Sequence, residues 1–181
     1  MRATGITRRI DDLGRIVIPK EIRRTMRIRE GDPLEIYTDR EGGIILKKYS
    51  PIGELGDLSR EYVESVANVA KCTVCVSDRD VIVAAAGPDK KEYMGKSVNG
   101  DLEECMERRK NVVAAKGDPN FCRIVPDQDE TQSVAISTII SEGDAIGSVI
   151  LLTQSKNLKF GEFEEKMAVC GAGFLGRQME S

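Results

Sequence analysis

The apolar positions of the first fifty residues change period twice. Residues 4–10, TGITRRI, are β-branched and apolar enough for a strand, although Arg8 shares parity with Ile6 and Ile10. Asp11-Asp12-Leu13-Gly14 has turn chemistry, with an aspartate at its start and a glycine for positive φ. Residues 15–19, RIVIP, alternate again: Ile16 and Ile18 share one face, Arg15 and Val17 the other. Pro19 suits the first turn of a helix, where its missing N–H is not needed. Residues 19–28 continue at helical spacing. At about 100° per residue, Lys20, Arg23, Arg24 and Arg27 fall in one stripe, and Pro19, Ile22 and Met26 lie opposite as a core face. Gly-Asp-Pro at 31–33 ends the unit. Residues 33–38, 39–43 and 44–49 then read as strand, glycine-rich turn and strand.

From residue 50 the pattern lengthens. Ser50-Pro51 and two glycines have linker chemistry, and residues 52–71 read as a linker and first helix. Leu55, Leu58, Tyr62, Val66 and Val69 give that helix an amphipathic stripe, suited to a core or to a partner helix. Strands follow at 72–77 and 81–86, then a loop over 87–99. A helix over 100–111 carries Leu102, Cys105 and Met106 on one side. Further strands are expected at 121–125, 133–141 and 145–154, the last two joined by a turn at 142–144. A closing helix over 161–179 has Phe163, Met167, Cys170 and Phe174 as its apolar stripe.

Charge separates the two halves. Residues 1–48 hold twelve Lys/Arg and eight Asp/Glu, a net +4, while the remainder is net −7. A basic head on an acidic body predicts two domains, 1–51 and 52–181, with the head facing a polyanion. The head is too small to close a core alone. A chain of that size buries only about 60% of its surface, and this one lacks cysteine, tryptophan and phenylalanine. Without a disulfide or metal, the remaining solution is a second copy of the chain, with strands of the two chains interleaved.

The run TGITRRIDDLGRIVIPKEIRRTMRIREGDPLEIYTDREGGIILKKYSP resembles the AbrB-type DNA-binding domain across nearly all of residues 3–51. The resemblance implies a mostly-β swapped-hairpin barrel, an intertwined homodimer with a short helix. It places Arg8, Arg9 and Arg15 on the hairpin and Arg23 and Arg24 on the helix at double-stranded DNA. Lys20 and Arg27 join them from the helical stripe alone. Arg29, Lys47 and Lys48 read instead as structural or edge-protecting charges. The family further implies loose sequence preference, read partly through DNA shape.

The order helix, two strands, helix, three strands, helix, with the ending GDAIGSVILLTQ, resembles an α+β GAF-like domain with flanking helices. This implies a sensory or oligomerising role. The first and last helices would join two dimers into a homotetramer or stabilise one dimer, and the loops at 87–99 and 115–132 are either the cover of a pocket for an unidentified small-molecule effector or simply loops. No ligand can be read from the residues.

Other chemistries find little support. The absence of histidine removes histidine-based catalysis and metal ligation. Cys72 and Cys75 have C-x-x-C spacing, but residues three apart on a strand face opposite ways, so both read as core thiols. Acidic pairs at Glu103–Glu104, Asp127/Asp129 and Glu164–Glu165 read as solvated faces. No catalytic residue, cofactor or metal is expected. No run of about 18 apolar residues and no signal-peptide core occur, so the expected location is the cytoplasm, at the nucleoid. The leading reading is a transcription regulator of the AbrB type. The alternative is an antitoxin-type module, since the same fold serves antitoxins; those carry a short acidic tail where this chain has over a hundred structured residues.

Overall fold

The computed structural model describes residues 4–127 and 130–180. Asp129, one of the acidic residues considered above, and Ala3, at the start of the matched run, lie outside them. The chain divides into two compact units, 1–49 and 50–181.

In the first unit, helix α1 (Lys20–Thr25) begins after Pro19, whose φ of −56° and ψ of 146° make it the N-cap. Strands β1 (Leu34–Thr38) and β2 (Ile44–Lys48) form an antiparallel hairpin with Leu34 opposite Lys48 and Thr38 opposite Ile44. The expected strands at 4–10 and 15–19 are not formed within one chain. They run as two arms joined by a tight tip, where Gly14 donates to the Asp11 carbonyl and Asp11 to that of Arg15. The physical reason is a missing partner: a β-arm acquires ladder bonds only from a neighbouring strand. No described residue of this unit is buried. Ile10, Ile16, Val17, Ile36 and Ile44 are each more than half exposed. Met26, expected on the core face of α1, is also exposed, and Ile22 is half-buried.

The second unit is built on a five-stranded antiparallel sheet. Helices α2 (Pro51–Glu54) and α3 (Gly56–Ala70) lead into strands β3 (Thr73–Ser77) and β4 (Ile82–Ala86). Helices α4 (Lys90–Tyr93) and α5 (Gly100–Glu107) follow, then strands β5 (Val112–Ala115), β6 (Ser133–Ser141) and β7 (Asp144–Thr153), and helix α6 (Glu162–Gln178). The strand order is β4-β3-β7-β6-β5. Alternation divides the core in two. Val74, Val76, Val149 and Leu151 pack toward α3 and α6, while Cys75, Ile150, Leu152 and Ile136 pack toward Tyr93 of α4, α5 and the 121–125 segment. Cys72 and Cys75 accordingly lie in different cores on opposite faces.

Five expectations are corrected. Residues 121–125 are not a strand: they join no ladder of the sheet, and Ile124 and Val125 are buried in an irregular run. The edge strand is β5, reached because α5 stops at Glu107. Arg109 adopts φ 52°, and Lys110 donates back to the Cys105 carbonyl, a tight helix ending. The 87–99 loop contains α4, whose Tyr93 is fully buried with its hydroxyl 3.1 Å from that of Thr131. In α3, Val69 is exposed and Val63 takes the core position. In α6 the buried face is Ala168, Gly171, Ala172, Leu175 and Gly176, and the larger Phe163 and Cys170 are exposed. Small residues let this helix lie close to its neighbours: a Cβ at Gly176 would strike the Ile140 carbonyl, and one at Gly171 the ring of Tyr62. Tyr62 is held there by donating its hydroxyl to the Met167 carbonyl at 2.7 Å.

Two outcomes follow from this packing. Gly176→Ala should lower unfolding stability by about 1–3 kcal/mol, since the obstructing group is backbone, while exposed Gly173→Ala should not; urea denaturation compares them. Burial pushes the Cys72 thiol up to about 12 and raises Cys75, Cys105 and Cys122 as well. A thiol reagent at neutral pH should therefore modify exposed Cys170 rapidly and the other four only on unfolding.

Candidate nucleic-acid interface

The hairpin tip is organised by one carboxylate. Asp11 Oδ1 accepts the backbone N–H of Leu13 at 3.0 Å and of Arg15 at 2.8 Å. Its Oδ2 accepts Arg15 Nε at 2.8 Å. Asp11 thus closes an Asx-type turn and fixes the guanidinium of Arg15 beside it. Hydrogen bonds from the Arg15 backbone, first, and from its side chain hold the Asp11 carboxyl below its ordinary 3.8. Gly14 supplies the φ of 75° that the turn requires. Arg8 donates through Nη1 to the Thr7 carbonyl at 3.0 Å, and Arg9 is exposed.

Helix α1 presents Lys20, Arg23 and Arg24, all exposed. Its end is wound tightly. Ile28 donates to the Arg23 carbonyl at 2.7 Å, with Arg27 between at φ 51°. This is a Schellman-type ending with an arginine where glycine is usual. Lys48 fastens it by donating through Nζ to the Arg27 carbonyl at 2.8 Å and pairing with Asp32 at 3.2 Å. Asp32 also accepts the Arg29 backbone N–H at 2.8 Å. Lys47 lies 4.7 Å over the Tyr37 ring. The lysines at 47 and 48 therefore brace the unit, a role beyond the edge protection expected of them.

All seven sequence-predicted residues are exposed, and they fall into two groups within one chain: Arg8, Arg9 and Arg15 about the hairpin tip, Lys20, Arg23, Arg24 and Arg27 on α1 and its ending. The organiser Asp11 is not among them. Its signal is the aspartate opening the D-D-L-G turn, which marks the turn but not the capture of Arg15.

Two family descriptions match the chain. Residues 7–54 match "Antidote-toxin recognition MazE, bacterial antitoxin", and residues 54–180 match "Stage V sporulation protein T C-terminal, transcription factor". Transition state regulatory protein AbrB of Bacillus subtilis is 63% identical over 51 residues, which are 28% of this chain and 52% of that protein. Over the second unit, the GAF domain of an Acinetobacter phosphoenolpyruvate-protein phosphotransferase superposes with a TM-score of 0.58 at 17% identity, covering 70% of this chain and 82% of that one. An AbrB-type domain followed by a GAF-like domain defines the class, a transcription regulator of two dissimilar modules. Stage V sporulation protein T of Bacillus subtilis is 50% identical over 181 residues, 99% of each chain, and this chain belongs to that family of sporulation regulators.

The turn geometry has a measurable consequence. The lowered Asp11 carboxyl contributes order above its unfolded value and loses it as pH falls through the lowered folded value. The carboxyl resonance of Asp11 should therefore titrate below 3.8 in NMR spectra. In Asp11→Ala, the Leu13 and Arg15 amides should exchange with solvent faster, by about tenfold.

Proposed function

We propose that the chain is a DNA-binding regulator that grips double-stranded DNA through Arg8, Arg9, Arg15, Lys20, Arg23, Arg24 and Arg27 of an N-terminal homodimer. The observation that carries this reading is the pairing of exposed cations with an exposed apolar surface on one small unit. The arms at 4–10 and 15–19 have no ladder partner, and Ile10, Ile16, Val17 and Met26 face solvent. A second copy would supply both the strands and the cover, giving the swapped-hairpin barrel. The two-fold axis would then double the arginine clusters. The division between 49 and 50, two residues before the expected boundary between 51 and 52, separates these roles.

Arginines neutralise phosphates and release counterions, which sets register without selecting sequence. Selection comes from the few side chains that reach base edges and from DNA deformability, so the expected specificity is broad. The C-terminal domain assembles or modulates the head. Val69 of α3 and Phe163 and Val169 of α6 are exposed apolar residues suited to joining two dimers into a homotetramer. An effector held by this domain would make the regulator responsive. The site of action is the cytoplasmic nucleoid, on sporulation genes that it activates or represses. The antitoxin alternative draws on the match of residues 7–54 alone; the ordered domain over 50–181 stands where a toxin-binding tail would be.

The test is anisotropy of a labelled duplex titrated with the full chain. Affinity should fall by about a thousandfold or more from about 50 mM to about 200 mM salt. Arg23→Ala or Arg24→Ala should remove most binding at moderate salt while sizing shows the dimer intact. Full affinity in those variants would reject the assignment, and co-purification with a small toxic partner would favour the antitoxin alternative.

A further inference from the structure

The second unit contains a cleft of about 270 Å³ between the start of α5, the end of β5 and the segment leading to β6. Its floor is apolar and buried at Ile124, with the Thr131 hydroxyl beside it and Phe121 on the wall. Its rim carries Lys116, Asp118, Arg123 and Asp101. The volume lies just below the usual range for ligand pockets, about 300–1,000 Å³, which favours a molecule much smaller than a nucleotide.

The charges choose the chemistry. The rim holds two cations and two carboxylates. A bare anion would meet Asp101 and Asp118, and a bare cation would meet Lys116 and Arg123. Arg123 and Asp101 already pair at 3.1 Å, half-exposed, through Nε and Oδ2. The Arg123 backbone N–H adds a longer contact to the same oxygen at 3.4 Å. These bonds use one side of each group, leaving the two Nη atoms of Arg123 and Oδ1 of Asp101 to pair elsewhere. A guanidinium fork suits a carboxylate, and a carboxylate oxygen suits an ammonium. Asp118 is held in place by accepting the Ala115 backbone N–H at 2.7 Å through Oδ2, so its Oδ1 is a second ammonium acceptor.

We propose that this cleft binds a small zwitterion, a free α-amino acid with an apolar side chain. Arg123 takes the carboxylate, Asp101 and Asp118 take the ammonium, and the side chain lies on Phe121 and Ile124. The proposal names the chemistry of the effector in the reading above and rests on that reading only for its regulatory meaning, because the binding is measured without DNA.

The experiment is calorimetric titration of the full chain with L-leucine, L-methionine, L-valine and L-phenylalanine. Two halved probes accompany them: 4-methylpentanoate, which lacks the ammonium, and 3-methylbutylamine, which lacks the carboxylate. At least one amino acid should bind saturably, and both halved probes at least tenfold more weakly. Arg123→Gln and Asp101→Asn, with thermal melts confirming the fold, should each weaken amino-acid binding at least tenfold. Exposed Lys159→Gln, away from the cleft, should leave it unchanged. Absence of saturable binding by all four amino acids overturns the proposal. So does equal binding of either halved probe, or unaltered affinity in Arg123→Gln. DNA binding that persists in any of these cases leaves the nucleic-acid reading standing.

Discussion

The first unit has more apolar surface than its own chain can cover. About fifty residues, without a disulfide and with no described residue buried, cannot offset the entropy of ordering their backbone through internal contacts. Its extended arms carry backbone donors and acceptors that only another strand can satisfy in the absence of water. The proposed exchange of hairpins meets both demands with one operation. It also couples folding to assembly: the surface that would grip DNA exists in its final form only in the associated state. The tightly wound ends, the Asp11 turn and the Lys48 brace are local devices that preset the tips before that association.

The second unit solves its burial problem internally. Its sheet is covered on both faces by elements of the same unit. Here the economy lies in backbone proximity. Gly147 lies against the Ser77 carbonyl, Gly176 against that of Ile140, and Gly171 against Tyr62. A central sheet with a close helix on one side leaves the opposite side, with its short helices and irregular segment, as the face where a cleft can open. On this side of the sheet the buried hydroxyls of Ser77 and Ser148 pair at 2.7 Å.

Much of this was legible in the residues. The turn at 11–14, the basic stripe on α1, the β1–β2 hairpin and the β6–β7 hairpin all follow from turn chemistry and period. Opposite facing of Cys72 and Cys75 follows from the pleat. The departures at 121–125 and in α6 share one cause: apolar character does not by itself mark regular structure or the buried side. At 121–125, apolar residues are buried in an irregular run. In α6 the buried side is written in alanine and glycine, which carry no hydropathic signal, while the louder Phe163 faces out. Asp11 was visible as a turn former, but its hold on Arg15 needed geometry. Loop 115–132, one of the two expected to cover an effector, holds seven of the eight residues lining the cleft; the charged set was not legible, because Asp101 joins it from α5 and no motif marks it.

Arg27 occupies a backbone state in which glycine would be at ease and a branched carbon is not. The cheapest relief of that strain is also the change that would erase a cation from the proposed DNA surface. On that proposal, stability and affinity would be set against each other at a single codon. A screen for thermal tolerance that ignored DNA would drift toward glycine there, and a screen for occupancy of promoters would drift back. On the proposed reading, the position would act as a dial for adjusting how long the regulator stays on DNA without redrawing the rest of the head.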